Sequence, residues 1–223
     1  MSAVGHGEQD HSHLMDRVYR HQRHFYDLTR RYYLLGRDRL IGELDAERGT
    51  RVLEVGCGTG WNLIRAAKLF PAAEFYGMDI SHEMLATARR AARRQGADLH
   101  LGYGDATRFN PYASFGVSRF ERIYMSYTLS MIPDWQATLA QGICNLAPGG
   151  SLHIVDFGEQ ERLPRWFRSA LRAWLAKFHV SPRGDLERVL RALAANLGAD
   201  LQFRSLYRGY ATYAILRLPF QGG

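Results

Sequence analysis

An α/β fold, built on a mostly parallel seven-stranded sheet covered by helices on both faces, is what this chain of 223 residues predicts. Three observations predict it. Short apolar runs of strand character alternate with helix-period segments between residues 51 and 158, the pattern of successive βα units. A glycine-rich turn, with Gly56, Gly58 and Gly60, follows the first apolar run directly. Two more strand-like runs end the chain with a short turn between them. That pair reads as a hairpin, so the last strand is expected to run antiparallel in the sheet.

The elements follow in order. Residues 1–13 are polar and read as a disordered tail. Residues 14–45 read as a helical lid, with Leu14, Val18, Phe25 and Tyr32 near one face and a break at Gly36. "RVLEVG" is the first strand, and a helix runs from about Trp61 to Phe70 before Pro71. "AEFYGMDI" is the second strand, ending near Asp79. Ser81 is a good N-cap for the next helix, Glu83 suits its first turn, and Gly96 closes it. "LHLGYGDA" is a third strand and a fourth lies near 120–127. "DWQATLAQGICNLAPGG" reads as a helix stopped by Pro148, Gly149 and Gly150, with "SLHIVDFG" the fifth strand. A helix over 185–198 precedes the terminal hairpin, whose turn is placed at Arg208 and Gly209. The boundaries give a lid at 14–45 and one domain over 46–223, interrupted by a basic insertion at 160–184.

Composition narrows the partners. The formal net charge is +7 and the sequence pI is about 9.6, which favours an anionic partner. Nearly all the basic residues are arginine, the only lysines being Lys68 and Lys177, and arginine suits bidentate contact with carboxylate or phosphate. The two cysteines, Cys57 and Cys144, are far apart, so neither a disulfide framework nor a zinc site is expected, and a reducing cytosol fits. The first residues lack the apolar stretch of a secretory signal, and no apolar run reaches the roughly 18 residues of a membrane span. A soluble or peripheral protein is expected, with no metal.

The glycine turn carries the cofactor reading. Its spacing is G-x-G-x-G rather than the G-x-G-x-x-G of dinucleotide enzymes. Glu54–Val55–Gly56–Cys57–Gly58–Thr59–Gly60 matches the E/D-x-G-x-G-x-G motif and resembles the class I S-adenosylmethionine-dependent methyltransferases. The resemblance implies a Rossmann-like methyltransferase fold and S-adenosylmethionine as cofactor. It implies a pocket floored by Glu54, Gly56, Cys57, Gly58 and Gly60, with Asn62 and Ser126 beside it. Asp79 would accept the ribose hydroxyls, Gly104, Asp105 and Ala106 would lie by the adenine, and Ile80 and Met84 are further cofactor-binding candidates.

A closer resemblance rests on "HLMDRVYRHQRHFYDLTRRYYLLGRDRLI", "VLEVGCGTGWNL" and "SYTLSMIPDW". Over most of 14–160 these stretches resemble the bacterial BtaB family of diacylglycerylhomoserine N-methyltransferases. The family makes a betaine lipid, so the resemblance implies three methyl transfers to the primary amine of a homoserine lipid, and a link to the enzyme that makes that lipid. Methylation of phosphatidylethanolamine or a soluble amine is the alternative within the enzyme class. An RNA-binding protein or a non-catalytic binding subunit is the alternative outside it.

The chemistry of that reaction selects the remaining candidates. A free α-amino group has a pKa of roughly 7.7–8.0, so little base catalysis is needed near neutrality. Acceptors that orient the amine are sought at Tyr19, Tyr32, Tyr127 and Asp156. Cations for the substrate carboxylate are sought at Arg30, Arg31, Arg37 and Arg165. The stretch "RLPRWFRSALRAWLAKF" is a basic amphipathic helix in which Trp166 and Trp174 sit on the apolar side and Arg165 and Arg168 off it. Such a helix suits an anionic membrane surface, which would place the protein at the cytoplasmic face of a membrane with no nucleic-acid partner. His153, within the fifth strand, reads as a core histidine.

Overall fold

The computed structural model describes residues 33–220. The tail at 1–13, most of the predicted lid, and Tyr19, Arg30, Arg31 and Tyr32 lie outside the described residues. The strands are β1 (Arg51–Val55), β2 (Glu74–Asp79), β3 (His100–Tyr103), β4 (Phe120–Ser126), β5 (Leu146–Phe157), β6 (Asp200–Leu206) and β7 (Ala211–Arg217). They form one sheet in the order β3-β2-β1-β4-β5-β7-β6. β7 alone runs antiparallel, pairing with β5 on one side and β6 on the other. The strand order reverses direction between β1 and β4, so a crevice opens at their carboxyl ends, where open α/β sheets bind ligands.

The helices are α1 (Arg37–Gly42), α2 (Trp61–Leu69), α3 (His82–Gln95), α4 (Pro111–Phe115), α5 (Trp135–Cys144), α6 (Arg165–Ala176) and α7 (Leu186–Leu197). Their apolar sides divide between two cores. Leu40 of α1, Leu44 just after it, Leu63 of α2, Leu85 of α3 and Leu175 of α6 pack on one face. Leu139 of α5 and Leu186 and Leu190 of α7 pack on the other. Starts and stops have local causes: Ser81 Oγ accepts from the Met84 amide at 3.3 Å, and Gly96 ends α3 in the left-handed conformation. Asn110 caps α4 with Pro111 at its first turn, a helix the sequence pattern marks only faintly.

Two boundaries depart from the expected ones. α5 stops at Cys144 and β5 begins at Leu146, before the Pro–Gly–Gly stop. The cause is tertiary: Leu146 is buried and pairs with Phe120, and the register then shifts between Phe120 and Arg122. The hairpin turn spans Tyr207 to Tyr210, with positive φ at Tyr207, Arg208 and Gly209. His153 is buried, pairs through Nε2 with Ser151 Oγ at 2.9 Å, and is pushed down to about 3 by burial and by Arg122 and Arg217. It is a neutral core residue.

Gly77 marks how tightly the sheet and α2 pack. A Cβ there would lie 2.3 Å from Leu63 Cδ1 and 3.1 Å from Cys57 Cβ. Gly77→Ala is therefore expected to destabilise the fold by about 1–3 kcal/mol through overpacking, read from the denaturant midpoint. A stability equal to wild type would refute that packing.

Candidate active site

The carboxyl end of β2 builds the glycine loop. Met78 O accepts the amides of Gly56 and Cys57, both at 2.9 Å. Asp79 Oδ2 accepts the Gly58 amide at 2.8 Å, and Oδ1 accepts the Ser81 amide at 2.9 Å. One carboxylate thus fixes the loop after β1 and the entry to α3. Gly56, Gly58 and Gly60 all have positive φ, which glycine adopts without steric cost. Gly60 also lies where a Cβ would be 3.0 Å from Ala88 Cβ, so the loop is drawn close to α3.

The loop borders a cleft lined by Arg37, Glu54, Gly56, Cys57, Asn62 and Ser126, with Leu34, Thr59 and Trp61 at its edge. Glu54 is 1% exposed. Asn62 Nδ2 donates to its Oε1 at 2.7 Å and the Tyr124 hydroxyl to its Oε2 at 3.1 Å. Burial outweighs these bonds and the nearby Arg37, pushing the carboxyl up from the usual 4.5 to about 8. Asn62 Oδ1 and Ser126 Oγ are buried without a hydrogen-bond partner, and both residues line the cleft. Buried polar atoms left in this way are expected to face a ligand. The Cys57 thiol is buried and pushed well above its ordinary value by that burial, so it packs rather than reacts.

Arg37 belongs to this cleft. Its guanidinium lies 4.3 Å from the centre of the Trp61 ring, and its Nε donates to Leu34 O at 3.1 Å. That position puts it on the glycine-loop side, in the cleft that Glu54 also lines. Trp61 went unmarked because its contact with Arg37 is tertiary. Gly104 follows β3, its amide donating to Asp79 O at 3.2 Å, and a Cβ there would lie 2.7 Å from Met78 Cε. Asp105 turns its carboxylate into its own loop: Oδ1 accepts the Thr107 amide and hydroxyl at 2.9 and 2.8 Å, and Oδ2 faces Arg108 at 3.4 Å. Ala106 packs on the second core, while Ile80 is half-buried beyond Asp79.

A second pocket lies at the carboxyl ends of β4 and β5. Tyr33, Tyr127, Phe157, Trp174 and Phe178 form its aromatic walls, and Leu34, Met131, Leu175 and Val180 complete it. Leu34 also lines the first cleft, so the two adjoin. Tyr33 meets Trp174 edge-on at 4.7 Å, and Tyr127 meets Phe157 edge-on at the same distance. The enclosed space is about 10 Å³, room for about one water. Met84, at the start of α3, packs against Met131 and Phe178 between the two sites.

This pocket changes the expected roles of Tyr127 and Asp156. The Tyr127 hydroxyl donates to Leu35 O at 2.6 Å and is held by a backbone with φ +57°, so its ring, not its hydroxyl, forms the wall. Asp156 is 1% exposed, and its oxygens accept the Ser130 amide at 3.0 Å and the Phe157 amide at 2.7 Å. It clamps the loop after β4 instead of facing the pocket. Trp174 is inside the cage, whereas Arg165 and Trp166 are exposed and Arg168 half-exposed at the far end of α6. Met131 and Phe178 lie in stretches the sequence marked for other reasons, and Phe157 read only as the end of a strand.

Residues 52–150 match the family described as a methyltransferase domain. The fold is that of the class I methyltransferases. The demethylmenaquinone methyltransferase of Listeria welshimeri is 32% identical over 124 residues, 54% of this chain and 50% of that protein. The chain spans about half the length of such curated relatives. The plantazolicin methyltransferase BpumL, in complex with a triazolic desmethylPZN analog and SAH, superposes with a TM-score of 0.69 at 13% identity, covering 95% of this chain and 96% of that one. Phosphoethanolamine N-methyltransferase 2 of Haemonchus contortus, in complex with S-adenosyl-L-methionine, gives 0.65 at 15% identity over 83% of this chain and 52% of that one. At such identities the likeness is one of fold.

The cofactor of the domain is S-adenosylmethionine, and the residues present fit it. The glycine loop gives it backbone to lie against, and the orphaned Asn62 Oδ1 can accept from an ammonium group. Among the described residues no His, Cys, Asp and Glu cluster could hold a metal, and no helix is long and apolar enough to cross a membrane.

Two measurements test this cleft. Asp79→Ala releases the Gly58 and Ser81 amides, and S-adenosylmethionine affinity by calorimetry should weaken about 10- to 100-fold; an unchanged affinity would remove Asp79 from the site. Glu54 supplies the second. Its carboxyl, raised to about 8 in the folded protein from 4.5, binds more protons folded than unfolded between those values. Stability should therefore fall as pH rises from about 4.5 to about 8, by an amount on the order of a few kcal/mol. Glu54→Gln should flatten that fall in thermal melts, and an equally steep fall in the variant would show that another group causes it.

Proposed function

We propose that the protein is an S-adenosylmethionine-dependent N-methyltransferase that methylates the amine of diacylglycerylhomoserine three times to give the trimethylated betaine lipid. The observation that carries this reading is the aromatic cage beside the cofactor cleft, lined among the described residues without a charged side chain. Aromatic faces attract an alkylated ammonium through the ring quadrupole, by about 0.5–2 kcal/mol per contact. The attraction applies to each successively methylated intermediate in its cationic form. The motif resemblance over 14–160 adds the homoserine lipid as the amine's carrier, and the phosphoethanolamine N-methyltransferase of H. contortus is an amine methylase of the same fold.

When bound, S-adenosylmethionine supplies an electrophilic methyl group. The chain's own work is positioning and exclusion of water. The amine reacts through the lone pair of its neutral form; each of the first two transfers leaves an ammonium, held by the aromatic faces, that must release its proton to solvent before the next. Leu34 lines both pockets, so the amine and the methyl donor meet where they adjoin. A quaternary product has no lone pair, so the reaction ends at three methyl groups. The cage encloses only about 10 Å³, so entry of the amine requires its walls to part.

A second reading is favoured by the relatives named demethylmenaquinone methyltransferases: a flat quinol ring would stack in the same aromatic cage and be methylated on carbon. One experiment separates the two. The protein is incubated with methyl-labelled S-adenosylmethionine and a bacterial lipid extract, and labelled products are identified by mass spectrometry. The expected result is stepwise gain of one, two and three methyl groups on a homoserine lipid. Label confined to a quinone establishes the second reading, and label in no lipid sinks both.

A further inference from the structure

Helix α6 uses its apolar side twice. Towards its C-terminal end, Leu171, Trp174 and Leu175 pack on the core and the acceptor cage. At its N-terminal end, Trp166 is 74% exposed and Phe167 is 37% exposed. Their rings meet edge-on at 5.7 Å. From Arg162 to Lys177 the chain carries four arginines and one lysine and no acidic residue, and Arg162 and Arg165 are exposed beside the two rings. A large exposed aromatic pair ringed by cations marks an interaction surface.

We infer that the N-terminal end of α6, with Arg162, Arg165, Trp166 and Phe167, docks on an anionic lipid bilayer. Charge complementarity selects the sign of the surface, since basic segments gain about 1 kcal/mol per cation near anionic headgroups. The aromatic pair favours a bilayer over a nucleic-acid duplex: indole and phenyl rings settle at the headgroup level, whereas the bases of a duplex are already stacked and offer the exposed indole no face. Position supports the choice. Trp166 and Trp174 are eight residues apart on one helix, about 12 Å along its axis, so the docking end and the cage wall belong to one rigid element. The hairpin turn, with exposed Tyr207 and Arg208, is tied to the segment just before α6, the Gln160 backbone amide donating to Gly209 O at 2.8 Å. A lipid headgroup in the cage would then leave its acyl chains towards the bilayer, a consequence that rests on the amino-lipid reading above.

The test is co-sedimentation of the full chain with vesicles of equimolar phosphatidylglycerol and phosphatidylcholine, against vesicles of phosphatidylcholine alone. Wild-type protein should pellet with the anionic vesicles. Replacing both rings, W166A with F167A, should weaken that binding about tenfold or more, as should R162S with R165S, while W166F should retain it. Anionic-vesicle binding that survives both double variants overturns the inference. So does salt-sensitive RNA binding that needs the two arginines, in a protein that ignores vesicles. Methylation of detergent-dispersed homoserine lipid reports the reaction separately. If the ring variant keeps that activity and loses vesicle binding, the docking surface is confirmed. If wild-type protein binds vesicles through these residues without methylating the lipid, the docking surface stands and the proposed reaction falls.

Discussion

The end of β2 is the constraint on which the site depends. Two consecutive residues, Met78 and Asp79, accept the amides of Gly56, Cys57, Gly58 and Ser81. A tight loop after a central parallel strand exposes backbone donors that the strand's own ladder cannot satisfy. Here the neighbouring strand satisfies them, through one main-chain carbonyl and one carboxylate. The loop therefore keeps its left-handed glycines in place without help from a ligand. This is preorganisation in a concrete form: the ordering of the loop is complete before anything binds, so binding need not supply it.

The buried end of β1 adds a second device. Glu54 sits where a near-continuous apolar strand would otherwise run, opposite Tyr124 in the register of β1 and β4. Asn62 and Tyr124 satisfy it, yet burial still keeps its carboxyl near 8. A cationic group arriving in the cleft would reverse that balance, because an opposite charge nearby favours the carboxylate. The same residue that lowers stability as the pH rises is thereby matched to a ligand with a positive charge. This is the pattern expected when a functional site departs from what stability alone would select.

How much of this was legible follows the distance over which each signal acts. The alternation of strands and helices, the caps at Ser81 and Gly96, and the antiparallel last strand all show in local pattern. So does the nearness of Glu54, the glycines and Asp79, which lie within one βαβ unit, where spacing alone implies proximity. The aromatic cage did not show. Tyr33, Tyr127, Phe157 and Trp174 come from four separate segments, and in each segment the aromatic looks like ordinary core. Periodicity located the apolar side of α6 correctly. It could not say that Trp174 would be covered by the cage and Trp166 by nothing in the fold, because a helical repeat specifies a face and not what packs on it. Arg37 shows the same limit: its charge was visible, but its place over Trp61 depends on how α1 meets α2. β5 began early because the partner residue Phe120 outweighed the local stop at Pro148.

The stretch from Tyr33 to Arg37 joins these parts. Tyr33 walls the acceptor cage, Leu34 lines both pockets, and Arg37 lines the cofactor cleft. Leu35 O takes the Tyr127 hydroxyl at 2.6 Å, and Gly36, at φ +87°, leaves only 3.1 Å between an added Cβ and Val155 Cγ2. Five consecutive residues thus form the partition between donor and acceptor, pinned to β4 by a hydrogen bond and to β5 by close packing. A side chain at Gly36 would push the partition away from β5 and disturb both pockets together. The unusual backbone of Tyr127 has its reason here. Its φ of +57° aims the ring at the cage and the hydroxyl at the partition, and strain of that kind persists where the surroundings hold it from several sides. Donor and acceptor sites are consequently not two independent pockets on one sheet: they share a wall, and that wall is anchored by the residue that also forms the cage.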